Sequence, residues 1–267
     1  MALALPRILS FDFDGTLVTK GEPIDPEFLD FIRQLTADDG AWVINTGRQM
    51  GELEDGLDEH QFPHFPDYAI TEETELYARN HDLETWEEVG DWNAKRLDAN
   101  RTLISQGRDF FDSVRDHIET KTNGSYLRLE GENMPDEIIA STQEEMDEIA
   151  EFIDAESSRA DFDLVSFQRN SIYLRFTHCD FDKGQTLAEL TRVLDLNSAH
   201  VFAVGDNHND LPKLDPEVAG AIACPSNSIG LVKATVLAHG GFVASKPGPH
   251  GVREALEHFA TTSKDKS

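Results

Sequence analysis

Short apolar runs that end in polar residues, separated by helical patterns, recur along this chain and leave few architectures open to it. Arg7–Asp12 (RILSFD) is the first, closed by an acid and followed by Gly15. Ala41–Asn45 (AWVIN) is the second and runs into Thr46-Gly47-Arg48, and Asp67–Ile70 is a weaker third. Near the other end, His200–Val204 runs into Gly205-Asp206, Ala219–Ala223 into Cys224-Pro225, and Gly241–Ala244 into Ser245. Helical spacing fills the intervals at Glu27–Leu35, Gln185–Leu194, Ser228–Ala238 and Val252–Phe259. Apolar strands alternating with helices predict an α/β fold, a parallel sheet covered on both faces. In such sheets ligands bind beyond the carboxyl ends of the strands, where these polar residues fall.

The middle of the chain follows another pattern. Trp92–Ile118 reads as one long amphipathic helix with Leu97, Ile104, Phe111, Val114 and Ile118 on its apolar face. Glu144–Ile153 reads as a second, on Met146, Ile149 and Ile153. Alternating strands accompany them. Leu127 and Leu129 oppose Tyr126, Arg128 and Glu130, while Ile172, Leu174 and Phe176 oppose Tyr173 and Arg175, with a hairpin turn at Asn170-Ser171. We expect a small α+β module over residues 81–177, inserted into a discontinuous core of residues 1–80 and 178–267.

With 51 acidic and 23 basic side chains in 267 residues, the formal charge is −28. Such a surface repels nucleic-acid backbones and anionic membranes, so neither is an expected partner. Hydrophobic residues at 39 %, with 16 Phe, supply a core and argue against disorder. Two cysteines cannot form a disulfide framework, and no apolar stretch is long enough to span a bilayer. A cytoplasmic protein is the expectation.

Four strand ends carry the chemistry. Asp12-Phe13-Asp14-Gly15-Thr16 places two carboxylates on a tight turn, although Asp and Gly favour turns in any case. Thr46-Gly47 offers a hydroxyl and an open backbone N–H to an anion, yet Thr-Gly is also a common strand exit. Lys183 opens a helix, where a cation opposes the macrodipole. Gly205-Asp206-Asn207-His208-Asn209-Asp210 is an oxygen-rich set that suits Mg2+ rather than Zn2+. Carboxylates crowded at adjoining strand ends need cations beside them, and Lys183 with a divalent metal would supply these.

In this order, FDFDGTL, NTGR, DKG and VGDNHNDLP resemble the four motifs of the haloacid dehalogenase (HAD) superfamily of phosphohydrolases. The interval from Asp14 to Thr46 has room only for a helix and its loops. The large insert after the second motif is similar to the class-two cap of the Cof-like sugar-phosphate phosphatases. The resemblance implies a Rossmann-like doubly wound core, an α+β cap and a Mg2+-dependent phosphomonoester hydrolase acting on a small phosphorylated metabolite, such as a sugar phosphate. It also implies roles. Asp12 would be the nucleophile and Asp14 the acid and base. Phe13, Thr46, Gly47 and Lys183 would hold phosphoryl oxygens, with Arg48 beside them. Asp12, the Asp14 carbonyl and Asp206 would bind Mg2+, Asp210 would do so directly or through water, and Asn209 would orient the set. One departure is TEETEL at Thr71–Leu76, where many relatives carry Asn-Gly.

Two alternatives stay open at this level: a phosphomutase on the same architecture, and a non-catalytic Mg2+/phosphoaspartate module. Within the cap, Tyr126, Arg128, Tyr173, Arg175 and Arg169 are candidate contacts for the leaving group, or plain solvent-facing strand residues. Nothing in the sequence sets the oligomeric state.

Overall fold

The computed structural model describes residues 6–123, 125–130 and 134–264, without the side chains of residues 126–136 and 262–264. Tyr126 and Arg128 therefore lie outside the described side chains. Two compact units emerge: Met1–Asn93 with Lys183–Ser267, and Ala94–Asp182.

The first unit contains β1 (Ile8–Phe11), α1 (Pro26–Thr36), β2 (Ala41–Asn45), α2 (Met50–Glu59), β3 (Tyr68–Thr71), β4 (Glu75–Asn80) and β5 (Thr85–Glu88). The chain leaves it along α3 (Trp92–Gln106). It returns with α6 (Lys183–Val193), β10 (Val201–Val204), a 3-10 segment (His208–Leu214), β11 (Ala221–Cys224), α7 (Gly230–Ala238), β12 (Phe242–Val243) and α8 (Gly248–Lys264). The sheet order is β12-β11-β10-β1-β2-β3-β4-β5. The six strands from β12 to β3 are parallel, and β4 and β5 are antiparallel.

Period-two alternation divides each strand between two cores. Leu9, Phe11, Trp42, Ile44, Phe202 and Val204 face α1, α2 and α8 through Phe28, Ile32, Leu53, Leu57, Val252 and Leu256. Ile8, Val43, Val201, Ala203 and Ile222 face α6 and α7 through Leu187, Leu190, Val232 and Val236. Both faces are covered, as a doubly wound sheet requires. Local signals set the helix starts: Asp25 Oδ1 accepts from Glu27 N at 2.9 Å, with Pro26 at the first position of α1.

The second unit comprises the rest of α3, α4 (Arg108–Lys121), β6 (Tyr126–Glu130), β7 (Met134–Ile139), α5 (Gln143–Ala160), β8 (Val165–Asn170) and β9 (Tyr173–His178). Its four-stranded antiparallel sheet runs β6-β7-β9-β8. Leu174 and Ile138 pack with Phe111, Val114, Ile118, Met146, Ile149 and Ile153.

Three expectations need correction. The helix expected over Trp92–Ile118 is two helices, divided at Gly107, where a Cβ would meet the Phe162 ring at 2.6 Å. Leu97 is 48 % exposed and lies off the apolar face, which starts at Leu103. The hairpin loop is Ser171-Ile172, one residue later than expected, because Ser171 takes φ 56° and Asn170 pairs with Tyr173. The expected boundary at 80/81 falls inside the β4–β5 hairpin, whose ladder belongs to the eight-stranded sheet, and the compact units divide after Asn93.

Candidate active site

The strand order reverses at β1, which has β2 on one side and β10 on the other. A crevice opens at such a switch point. Asp12 follows β1, Thr46 follows β2, and Asp206 follows β10 by two residues.

Asp12 is almost fully buried, and its Oδ1 accepts from Lys183 Nζ at 2.6 Å. The turn after it is closed by Leu17 N donating to Asp12 O and Gly15 N donating to Val18 O, both at 3.1 Å. Gly15 has φ 78°, and a Cβ there would meet Asp206 Oδ2 at 2.9 Å, so glycine is required on both counts. Thr16 Oγ1 donates to Asp206 Oδ1 at 2.9 Å and ties this turn to the end of β10.

Lys183 also donates to Asp210 Oδ1, at 2.8 Å. Lys213 Nζ lies 2.8 Å from the same oxygen. Asp210 Oδ2 accepts from the N–H groups of Asp206 and Asn207 at 2.8 and 3.0 Å. Three hydrogen bonds and one ion pair thus surround this carboxylate. Asp210 therefore organises two lysines and a loop. Gly205 permits the arrangement, since a Cβ there would stand 2.3 Å from Asp210 Cγ.

Asp14 and Arg48 form a bidentate pair, with Nε on Oδ2 and Nη2 on Oδ1, both at 2.7 Å. Arg48 Nη1 donates to Glu52 O at 2.9 Å, and the guanidinium sits 4.9 Å from the Phe13 ring centroid. The expected phosphate-binding arginine is thus committed to Asp14 in this structure. Thr46 is buried, its Oγ1 accepting from Arg48 N at 3.2 Å. Asn209 Nδ2 donates to Glu73 Oε1 at 2.7 Å.

Electrostatics follow from burial. Desolvation raises Asp12, aided by Asp210 and opposed by Lys183 and Lys213. Asp206 is pushed up to about 8 by burial and by the charges of Asp12 and Asp210. Burial would lower Lys183, but Asp12, Asp210 and Glu73 outweigh it and hold the ammonium protonated. Burial would raise Asp210, but the two lysines outweigh it and keep it ionised. Among the described residues, ligand atoms of Asp12, Asp206 and Asp210 lie within 4.8 Å of one another.

Sequence reasoning missed Glu73, Lys213 and Thr16. Lys213 stands three residues, one 3-10 turn, beyond Asp210, a spacing that could have shown it. Glu73 gives no such sign, because only the β3–β4 loop brings it to Thr46 and Asn209. A second grouping, His178, Cys179 and Asp180, lies in the second unit.

Residues 9–234 match the model of a haloacid dehalogenase-like hydrolase family. A Bacillus subtilis (strain 168) protein named "Putative phosphatase YxeH" is 24 % identical over 274 residues, covering 95 % of this chain and 98 % of its own. The sucrose-phosphatase of Synechocystis sp. PCC6803, solved with sucrose and phosphate, superposes with a TM-score of 0.67 at 16 % identity, covering 95 % of this chain and 97 % of its own. BT1666 from Bacteroides thetaiotaomicron, described among phosphatases of the HAD superfamily, gives a TM-score of 0.59 at 16 % identity, with 96 % of each chain covered. The matched span holds the three motif-bearing strand ends and the Lys183 start of α6, and the chain belongs to the haloacid dehalogenase-like hydrolase family.

Proposed function

We propose that the protein is a Mg2+-dependent phosphatase that hydrolyses a small phosphomonoester through an aspartyl-phosphate on Asp12. The observation that carries this reading is the charge balance around Asp12. Four carboxyl groups (Asp12, Asp206, Asp210, Glu73) share the site with two lysines, Lys183 and Lys213; with all six ionised the site is two positive charges short, and without a cation Asp206 is pushed up to about 8. The deficit of two positive charges matches one divalent cation, and an all-oxygen donor set favours a hard one. Asp12, Asp206 and the Asp14 carbonyl would hold Mg2+, which when bound neutralises charge on the phosphoryl oxygens.

The chain's own residues do the rest. Lys183 holds one oxygen of Asp12 and leaves the other to attack phosphorus. Thr46 and the N–H groups of Gly47 and Phe13 receive the phosphoryl oxygens. As the phosphorus–oxygen bond to the leaving group breaks, Asp14 gives that oxygen a proton. Asp14 then takes a proton from the water that attacks the aspartyl-phosphate, which frees inorganic phosphate and regenerates Asp12. In the structure Arg48 holds the Asp14 carboxylate, so this ion pair must loosen for Asp14 to carry a proton.

A sugar phosphate is the substrate class suggested by the likeness to sucrose-phosphatase. In this reading the second unit is the cap, and Arg175, Tyr173 and Arg169 are its candidate contacts. Arg169 is partly committed, since its Nη1 pairs with Asp147 at 2.5 Å. The test is phosphate release from a panel of phosphorylated sugars, sugar acids and nucleotides, with Mg2+ or EDTA. Asp12→Asn is expected to lose about 10^4-fold in kcat, and EDTA to silence the wild type. An Asp12→Asn enzyme within tenfold of wild type removes the mechanism.

A further inference from the structure

Glu73 is a buried acid that has no role in the steps above, yet its setting is tightly built. It follows Glu72 in the β3–β4 loop, and the two residues take φ 67° and 47° respectively. With Thr74 N donating to Thr71 O at 3.0 Å, they are the central residues of the tight turn that joins β3 to β4, and such turns take positive φ at both. Three site elements contact Glu73 there. Glu73 N donates to Thr46 O at 2.9 Å, Thr186 Oγ1 to Glu73 O at 3.4 Å, and Asn209 Nδ2 to Glu73 Oε1 at 2.7 Å. Glu73 is only 4 % exposed, and its Oε1 lies 3.2 Å from where a Cβ on Gly47 would stand. The carboxylate therefore rests against the glycine assigned to the phosphoryl oxygens, with its charge felt at Lys183.

A negative charge at the edge of an anion cradle opposes binding of a dianion, so a glutamate there has a cost unless release matters. We propose that Glu73 is a positioning residue of the phosphate cradle: it fixes Gly47 and Asn209 and weakens the hold on inorganic phosphate, so that product leaves readily. This rests on the phosphatase reading. An enzyme gains nothing from binding ground-state phosphate tightly, and release of product often limits turnover.

The test measures inorganic phosphate binding by calorimetry in Mg2+, alongside KM, kcat and Tm. Glu73→Gln keeps an acceptor for Asn209 and removes the charge. It is expected to bind phosphate at least about tenfold more tightly, with KM and kcat both lowered. Glu73→Ser removes the charge by another route and must tighten phosphate likewise, which keeps the test sound if the first variant folds poorly. Glu73→Asp keeps the charge but withdraws it from Asn209, so kcat should fall about tenfold while phosphate affinity stays near wild type. Wild-type phosphate affinity in both Glu73→Gln and Glu73→Ser overturns the proposal, and if Tm alone drops the residue serves packing only. If wild type hydrolyses esters in an Asp12-dependent way and these variants match it, only the Glu73 role falls. If wild type with Mg2+ neither binds phosphate nor turns over esters, the phosphatase reading itself falls.

Discussion

The first unit clusters its buried charges, and the second keeps most of its charge on the surface. In the first, Lys183, Lys213 and Asp210 are fully buried at the ends of parallel strands, with Asp12 nearly so. In the second, ion pairs such as Arg101–Asp98 and Arg115–Asp112 are one-turn pairs on helix surfaces. Its interior is mainly apolar and aromatic, with Phe110, Phe111 and Phe176 ring to ring, and its buried acids Glu137 and Glu156 stand apart from one another, Glu156 accepting from Arg159 Nε at 2.8 Å. Surface pairs contribute little to stability and are tolerant of change. Buried, unbalanced charge costs stability and is kept where chemistry needs it. The first unit thus carries its proposed site at a cost in stability, and the second is stabilised mainly by ordinary packing.

The sharpest way to break this contrast is Lys183→Met. It strands Asp12 and leaves Asp210 one cation, Lys213, besides two backbone N–H donors. Removing one partner of a buried pair is expected to cost about 3–5 kcal/mol, together with loss of phosphatase activity. Chemical denaturation beside an activity assay checks both, and a variant as stable as wild type would mean that Lys183 compensates nothing. Phe111→Ala is the counterpart in the second unit. A cavity among Phe110, Phe176 and Val114 should cost about 3–5 kcal/mol. The Mg2+ binding proposed for the first unit, followed by calorimetry, should be unchanged, because none of its proposed donors lies in that core. Loss of the metal together with that core would show that the units are not independent in this respect.

Much of this contrast was legible in the chain. Strands buried on both faces read as continuous apolar runs, so β1, β2, β10 and β11 and the polar residues after them stand out. Direction is harder to read. NTGR shows Arg48 beside the cradle, but not that its guanidinium turns back onto Asp14. GDNHNDLPK shows Asp210, but not that three hydrogen bonds and a second lysine surround it. The break at Gly107 is hidden because helical spacing resumes at once through Phe110, Phe111 and Val114, although a glycine within the run is a warning. The β4–β5 hairpin is hidden for a different reason. As an edge hairpin it is rich in charge, which is how edges avoid pairing with other chains, and it shows little apolar alternation.

Smaller effects separate the units by pH. Glu145 accepts from Ser125 and Ser141 and from Asn123 N, which hold it at about 2. Its folded value lies below its unfolded one, so its stabilisation is complete above about pH 4.5 and is lost as pH falls toward 2. Glu145→Gln should therefore flatten the dependence of the urea midpoint on pH across that window for the second unit. A slope equal to that of wild type would show that these three donors do not favour the carboxylate.

The smallest expected effect lies on the surface. Arg101 and Asp98 are about two-thirds or more exposed and sit one turn apart on α3, with Nη1 3.1 Å from Oδ1. Water screens such a pair, and holding two long side chains in one geometry costs entropy, so Arg101→Ala should change stability by less than about 1 kcal/mol. The comparison with Lys183→Met uses the same measurement and a similar donor–acceptor distance, and burial is what differs. If Arg101→Ala costs as much as Lys183→Met, proximity rather than burial sets the energy of these pairs. The charge balance around Asp12 then loses its claim to mark the site.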